Sequence, residues 1–292
     1  MDVRTIAVIG AGTMGRGIAY ASAYGGYRTV LEDISPEMLE RSLAWIRQSF
    51  DEGVARGKVD AALRDRASAL ISTATKVEDA IRDAELIIEA VPEEMEMKME
   101  LFAIFDKFAK PGAIFASNTS SLSITEMSDV TVARDRCVGL HFFNPVPKMK
   151  LIELVRAPLT SDDTVAACRE VARRMGKEVV VVKESPGFIT SRVNALIGNE
   201  AFAMLEAGIA SAEDIDKALK LGLNHPMGPF ELVDLVGLDV RLSILEYLHS
   251  TLGEKYKPNP LLRKFVQDGR LGRKTGRGVY DYTPKKNHGA ED

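Results

Sequence analysis

TIAVIGAGTMGRGIAYASAYGG, residues Thr5 to Gly26, is the stretch from which the rest of the chain can be read. Ile6 to Ile9 form a short apolar run of the kind that makes a buried parallel strand. Gly10, Gly12 and Gly15 then give G-x-G-x-x-G with Thr13 and Met14 between the last two, and an apolar helical face follows until Gly25-Gly26 stops it. Gly10 permits the tight turn out of the strand, Gly12 leaves bare backbone for a pyrophosphate, and Gly15 lets helix and strand pack closely. The free N–H groups and positive end of the new helix would hold the phosphates.

The turn gains meaning from its surroundings, because alone it would pass for a plain strand–turn–helix. A second apolar run, Thr29 to Leu31, ends in Glu32-Asp33, which places Asp33 near the distance after Gly15 expected of the acid that binds an adenosine ribose. A carboxylate there repels a 2′-phosphate, and the nearest following arginine, Arg41, lies well into the next helix. The cofactor read from these residues is NAD rather than NADP.

The 292 residues, 46% hydrophobic and 27% charged, are ordinary globular material of a length that suits two domains. A net charge of -4 argues against a nucleic-acid partner, whose recognition rests on excess Lys and Arg. Cys137 and Cys168 stand without a C-x-x-C or a histidine cluster, so neither a disulfide framework nor a metal site is expected, and both read as buried thiols of a reducing compartment. No 18-residue apolar run occurs, and the first strand begins by residue 5 with no room for a leader. The expectation is a cytoplasmic protein with no membrane partner.

In chain order, Ser35-Pro36 caps a long polar helix to about Phe50, and a second helix covers Val59 to Leu70. Both are more charged than a crossover helix needs and read as a helical insertion reaching away from the sheet. Strands are predicted at Ala69–Ser72, Glu85–Val91, Ala113–Ala116, Cys137–Phe143, Leu151–Val155 and Val179–Val182, with helices over Val77–Asp83, Glu93–Phe108 and from Ser161 to Gly176. This alternation is that of an α/β Rossmann domain with a doubly wound sheet, residues 1–184. After Ser185-Pro186-Gly187 only helical patterns remain, over Ile189–Glu206, Ser211–Leu219, Pro229–Leu252 and Pro260–Gln267, with a polar tail after Tyr282. Residues 185–292 therefore read as a smaller all-α C-terminal domain.

His141 and Glu153 are the candidate catalytic pair. If the chain folds back antiparallel about Pro147, the two face each other across neighbouring strands. A carboxylate beside an imidazole fixes its tautomer, raises its basicity and stabilises the imidazolium. That suits a dehydrogenase, in which a base takes the alcohol proton while hydride leaves for the nicotinamide. Ser120, in the hydroxyl-rich Ser117-Asn118-Thr119-Ser120-Ser121 beyond a strand end, is the best hydroxyl for the substrate oxygen, although such runs commonly serve as turns and caps.

GAGTMGRGIA, ASNTSSLSIT, GLHFFNPVPKMKLIELV, SPGFI, NHPMGPFELVDLVGLD and GRLGRKTGRGVYDY together resemble the 3-hydroxyacyl-CoA dehydrogenase family, near its bacterial 3-hydroxybutyryl-CoA members, over nearly the whole chain. The resemblance implies His141 as general base, Glu153 as its orienting partner and Ser120 on the substrate oxygen. It also implies Glu93, Lys98, Asn118, Ser120 and Lys274 around the cofactor, whereas unaided reading would make Glu93 and Lys98 an ordinary exposed helix pair. For an acyl-CoA substrate it points to Ser49, to Arg56 where relatives tend to carry lysine, and to Asn144. Relatives usually read Asn-Arg after SPGFI, with the amide on the substrate carbonyl; this chain has Thr190-Ser191-Arg192, so either Ser191 or, along the same helix face, Asn194 does that work, or acyl preference or rate differs from that of the relatives. The helical domain would make a homodimer, with Tyr247, Leu248, Tyr256 and Leu261 as its exposed part.

Two other readings fit the same fold. A dehydrogenase of a free hydroxy acid would lack a phosphate-binding cation near Arg56. A non-catalytic NAD-binding structural protein would lack His141 or Glu153, and both are present.

Overall fold

The computed structural model describes residues 2–283; most of the polar tail expected after Tyr282 lies outside the described residues. The chain runs β1 (Thr5–Ile9), α1 (Thr13–Tyr24), β2 (Arg28–Glu32), α2 (Pro36–Ala55), α3 (Ala61–Ala69), β3 (Ile71–Ala74), α4 (Val77–Ile81), β4 (Leu86–Glu89), α5 (Met95–Phe108), β5 (Ile114–Ser117), α6 (Ile124–Asp129), β6 (Cys137–Phe142), β7 (Leu151–Arg156), α7 (Asp162–Arg174) and β8 (Glu178–Lys183). These strands form one eight-stranded sheet in the order β3-β2-β1-β4-β5-β6-β7-β8. Every neighbouring pair is parallel except β6 and β7, an antiparallel hairpin. The order reverses at β1, which places the glycine turn at the crevice where doubly wound sheets bind ligands.

The central strands are apolar on both faces because helices cover both. One core layer gathers Ile6, Val8, Ile18, Leu31 and Ile88, and the other gathers Ala7, Ile9, Ile87, Phe102 and Phe115. The α2–α3 insertion is seated on α1. Leu39, Ser42, Ile46 and Phe50 are its buried stripe. Phe50 stacks on Tyr20 at 4.1 Å between ring centroids, and Ser42 Oγ donates to the Ala11 carbonyl at 2.6 Å. Its opposite, exposed face carries the charge.

Three differences from the sequence expectation have local causes. β3 lies two residues later than read, since Leu70 still caps α3. α6 was missed, although Ser123-Ile124-Thr125-Glu126 is a capping-box sequence and Ser123 Oγ accepts from Glu126 N at 3.2 Å. Phe188, buried in the second sheet layer, belongs to the first compact unit, so the two units divide between Phe188 and Ile189 rather than at 184/185.

The second unit consists of α8 (Thr190–Glu206), α9 (Ala212–Gly222), α10 (Pro229–Val236), α11 (Leu238–Leu252) and α12 (Pro260–Gln267). Pro229 to Leu252 is therefore two helices, a correction to the single one expected. Gly237, at φ 112, ends α10 and opens α11 in a conformation closed to other residues, while the apolar spacing runs through it unbroken. Leu248 and Tyr256, expected to be exposed, are buried in this unit's core. The exposed apolar side chains instead include Val193, Ile209, Leu221, Leu223, Leu235 and Val240.

Candidate active site

At the glycine turn, Gly10 has φ 93 and its N–H donates to the Glu32 carbonyl at 2.9 Å. A Cβ on Gly15 would fall 1.7 Å from the Gly10 carbonyl oxygen, whereas one on Gly12 would meet nothing within 4 Å. Close packing is thus needed at the third glycine, and open space lies over the second. No side chain caps α1 and no acid stands in its first turn, so the amides about Thr13 and Met14 keep their positive end for an anion. Asp33 accepts from Ala11 N at 2.9 Å through Oδ2 and from Ser35 N at 2.9 Å through Oδ1, tying the end of β2 to the turn. An open backbone over an uncapped helix end, flanked by a fixed carboxylate, fits the diphosphate and adenosine ribose of NAD.

Glu32, beside Asp33, was not singled out from sequence. It is 2% exposed, and Oε1 has no hydrogen-bond partner among the described residues. Burial, then the neighbouring Asp33 charge, push its carboxyl up to about 7.

His141 stands opposite Glu153 in the β6–β7 register. Its Nδ1 lies 2.8 Å from Glu153 Oε2; the imidazole is 7% exposed and the carboxylate 1%. With Nδ1 donating to that carboxylate, Nε2 is the nitrogen left to accept a proton. Phe143 and Phe188 flank the ring at 4.4 and 5.9 Å between centroids. Asn144, exposed in the following turn, is joined to Pro145 by a cis peptide bond.

Parallel pairing of β5 with β6 sets the hydroxyl run beyond β5 beside the end of β6. Asn118 joins the two strands, since its Oδ1 accepts from Phe142 N at 3.0 Å. Glu93 Oε1 accepts from Ser120 N at 2.9 Å, Ser120 Oγ at 3.2 Å and Thr119 Oγ1 at 2.6 Å. Glu93 and Lys98 are not an exposed helix pair. Glu93 precedes α5, and Lys98, 1% exposed, gives Nζ to both oxygens of the fully buried Glu89 at 2.8 and 2.9 Å and lies 3.3 Å from Glu93 Oε2. Burial works to raise the Glu93 carboxyl, but Lys98 and the hydroxyl and amide donors hold it below the usual range. Glu89 was missed as well, although a lone acid in the apolar run Leu86-Ile87-Ile88 was a signal for it.

A separate cleft of about 770 Å³ in the first unit is lined by residues of α1 and α2 and by the turn after β6. Ser49 and Arg56 both line it, with Arg56 3.4 Å from Glu52. Lys58, Lys148, Lys150 and Lys177 also line it, which leaves Glu52 as its one acidic lining residue. Those lysines come from three separate segments, around Lys58, Lys148 and Lys177, and could not be grouped from sequence. Lys177 Nζ donates to the carbonyls of Val146 and Met149, holding the turn, and burial lowers its pKa to about 8. In the second unit, Ser191 stands in the first turn of α8 with Asn194 one turn on, and Lys274 pairs with Asp239 at 2.6 Å.

Residues 5–185 match the NAD binding domain of 3-hydroxyacyl-CoA dehydrogenase and residues 187–282 its C-terminal domain. The chain is 44% identical to a probable 3-hydroxybutyryl-CoA dehydrogenase of Bacillus subtilis, over 98% of this chain and 99% of that one. It is 41% identical to the mitochondrial hydroxyacyl-coenzyme A dehydrogenase of Homo sapiens, over 96% and 91% of the two. The crystal structure of (S)-3-hydroxybutyryl-CoA dehydrogenase from Ralstonia eutropha superposes with a TM-score of 0.93 at 43% identity, covering 97% of this chain and all of that one.

Proposed function

This chain belongs to the 3-hydroxyacyl-CoA dehydrogenase family, and from that premise we propose that it oxidises short-chain (S)-3-hydroxyacyl-CoA, 3-hydroxybutyryl-CoA foremost, to the 3-oxoacyl-CoA with NAD, reversibly. The observation that carries this reading is the His141 Nδ1–Glu153 Oε2 contact of 2.8 Å at a strand end of a dinucleotide fold.

His141 Nε2 takes the proton of the 3-hydroxyl as the C3 hydrogen departs as hydride, and returns it in the reverse direction. Glu153 keeps Nδ1 protonated and stabilises the imidazolium. Ser120 Oγ, which donates to Glu93 at 3.2 Å, would turn its hydrogen to the substrate's 3-oxygen and orient it, leaving that oxygen's own proton for His141. Gly10, Gly12, Thr13, Met14, Gly15 and Asp33 would hold the adenosine and diphosphate part of NAD, which when bound supplies the hydride acceptor. Glu93, Asn118 and Lys274 are assigned to the cofactor's surroundings, and Asn144 and Ser191 to those of the acyl group.

Ser49 and the cations Arg56, Lys58, Lys148 and Lys150 of the cleft are the reading's support for coenzyme A, because a free hydroxy acid brings no phosphates for them to meet. We assign a homodimer through the helical unit, whose exposed apolar side chains supply a surface for a second copy. A cytoplasmic location accords with two buried free thiols and with the absence, among the described residues, of a helix long and apolar enough to cross a membrane. The deciding assay follows NADH oxidation with acetoacetyl-CoA, longer 3-oxoacyl-CoAs and free acetoacetate in parallel. Turnover is expected with the thioesters, fastest for acetoacetyl-CoA; turnover of acetoacetate alone would overturn the reading.

A further inference from the structure

We propose that Glu89 is a positioning residue for Ser120, acting from beneath the site through two chains of contacts, one ending at that residue's N–H and hydroxyl and the other at the backbone of the adjoining Thr119. The proposal rests on the dehydrogenase reading above for Ser120's part in the reaction, and adds Glu89, Ser117 and a new task for Lys98.

Glu89 closes β4 with its side chain wholly sealed from solvent. One chain runs from both Glu89 oxygens to Lys98 Nζ, from Nζ to Glu93 Oε2 at 3.3 Å, and from Glu93 Oε1 to Ser120 N and Oγ. The other runs from Glu89 Oε1 to the Ser117 hydroxyl, which in turn accepts from Thr119 N at 3.1 Å. The Glu89 backbone carbonyl adds a third hold, accepting from Asn118 N at 2.9 Å. Ser117 is thus held by the Glu89 carboxylate directly, Thr119 through Ser117, Ser120 through Glu93 and Lys98, and Asn118 by the Glu89 backbone.

Charge explains why the acid is buried there. A lysine sealed beneath Glu93 with no other counter-ion would draw Glu93 down and away from Ser120. Glu89 satisfies Lys98 from the far side, so Glu93 keeps Oε1 for the serine. Burial pushes the Glu89 carboxyl up, against the pull of Lys98 and Ser117, and Glu93 is the one of the three with substantial solvent access (38%). Lys98 is 1% exposed and meets the site through Glu93. Its effect on Ser120 is therefore indirect.

The test uses the full-length enzyme as Glu89→Gln and as the double variant Glu89→Gln/Lys98→Met. Glu89→Gln alone leaves a buried cation half paired and should lower Tm; the double variant removes both charges and should return Tm toward wild type. If Glu89 positions Ser120, kcat for NADH-dependent reduction of acetoacetyl-CoA stays about 10–100-fold low in the double variant, the order expected of a misplaced reacting group, with KM changed much less. Amide exchange at Thr119 and Ser120 should also remain faster than in wild type. Recovery of kcat together with Tm would overturn the proposal, since the pair would then be only structural. Wild-type exchange at Ser120 in the double variant would overturn it too, and that measurement stands whether or not acetoacetyl-CoA is the substrate. A wild-type protein that fails to turn over acetoacetyl-CoA would instead count against the dehydrogenase reading.

Discussion

His141 Nδ1 sits 2.8 Å from Glu153 Oε2 because the two residues are directly paired across an antiparallel hairpin in an otherwise parallel sheet. The hairpin supplies base and orienting acid from one continuous segment and fixes their separation by backbone pairing. His141→Ala should therefore lower kcat by about 10²–10⁴-fold while NADH affinity stays near wild type. Glu153→Gln should slow turnover less and shift its pH profile. Steady-state kinetics with a separate NADH titration check both, and near-normal turnover by His141→Ala would remove the residue from the mechanism.

Asp33 bears on cofactor choice. Its carboxylate braces the glycine turn at Ala11 and Ser35, and in the proposed cofactor role it would repel a 2′-phosphate. Asp33→Ala should weaken NADH binding by about 10–100-fold and narrow the preference for NADH over NADPH. A wild-type enzyme that prefers NADPH would contradict this.

Arg56 is expected to matter only for substrates that carry the nucleotide. Since its guanidinium is partly exposed and shared with Glu52, Arg56→Ala should raise KM for acetoacetyl-CoA by about 5-fold, roughly 1 kcal/mol. KM for the N-acetylcysteamine thioester, which has no phosphates, should not move. Equal effects on the two substrates would place coenzyme A elsewhere.

Glu32 gives a pH-dependent stability. Burial and Asp33 raise its carboxyl from the ordinary 4.5 to about 7, so between these values the folded state holds a proton that the unfolded state has lost. Stability then falls as pH rises through this window, and the penalty is complete above about 7. Glu32→Gln should stabilise the protein by about 1–3 kcal/mol at pH 8, with the gain fading toward pH 4.5. Thermal melts of the two proteins across that range will show it; a gain independent of pH would exclude the mechanism.

For the helical unit, sedimentation at micromolar concentration should give about twice the 32.0 kDa chain mass. Tm should rise with protein concentration if the dimer supports the fold. An active monomer with a concentration-independent Tm would end that assignment.

The glycine turn, Asp33, the change to helices after Pro186 and even the pairing of His141 with Glu153 were legible in the sequence. Each depends on neighbours within one segment: a strand feeding a helix, an acid at the end of the next strand, or a single fold-back about Pro147. Folding in space decided the rest. Lys98 carries the same local signals as any solvated helix lysine, and only the arrival of β4 and β5 beneath α5 encloses it between Glu89 and Glu93. The basic cleft likewise joins Arg56 and Lys58 to Lys148, far along the chain, and apolar spacing could not distinguish the buried Leu248 from the exposed Leu221. Periodicity fixes which face of an element is apolar, whereas the counter-ion of a buried charge and the partner of an apolar face are set by contacts between residues distant in sequence.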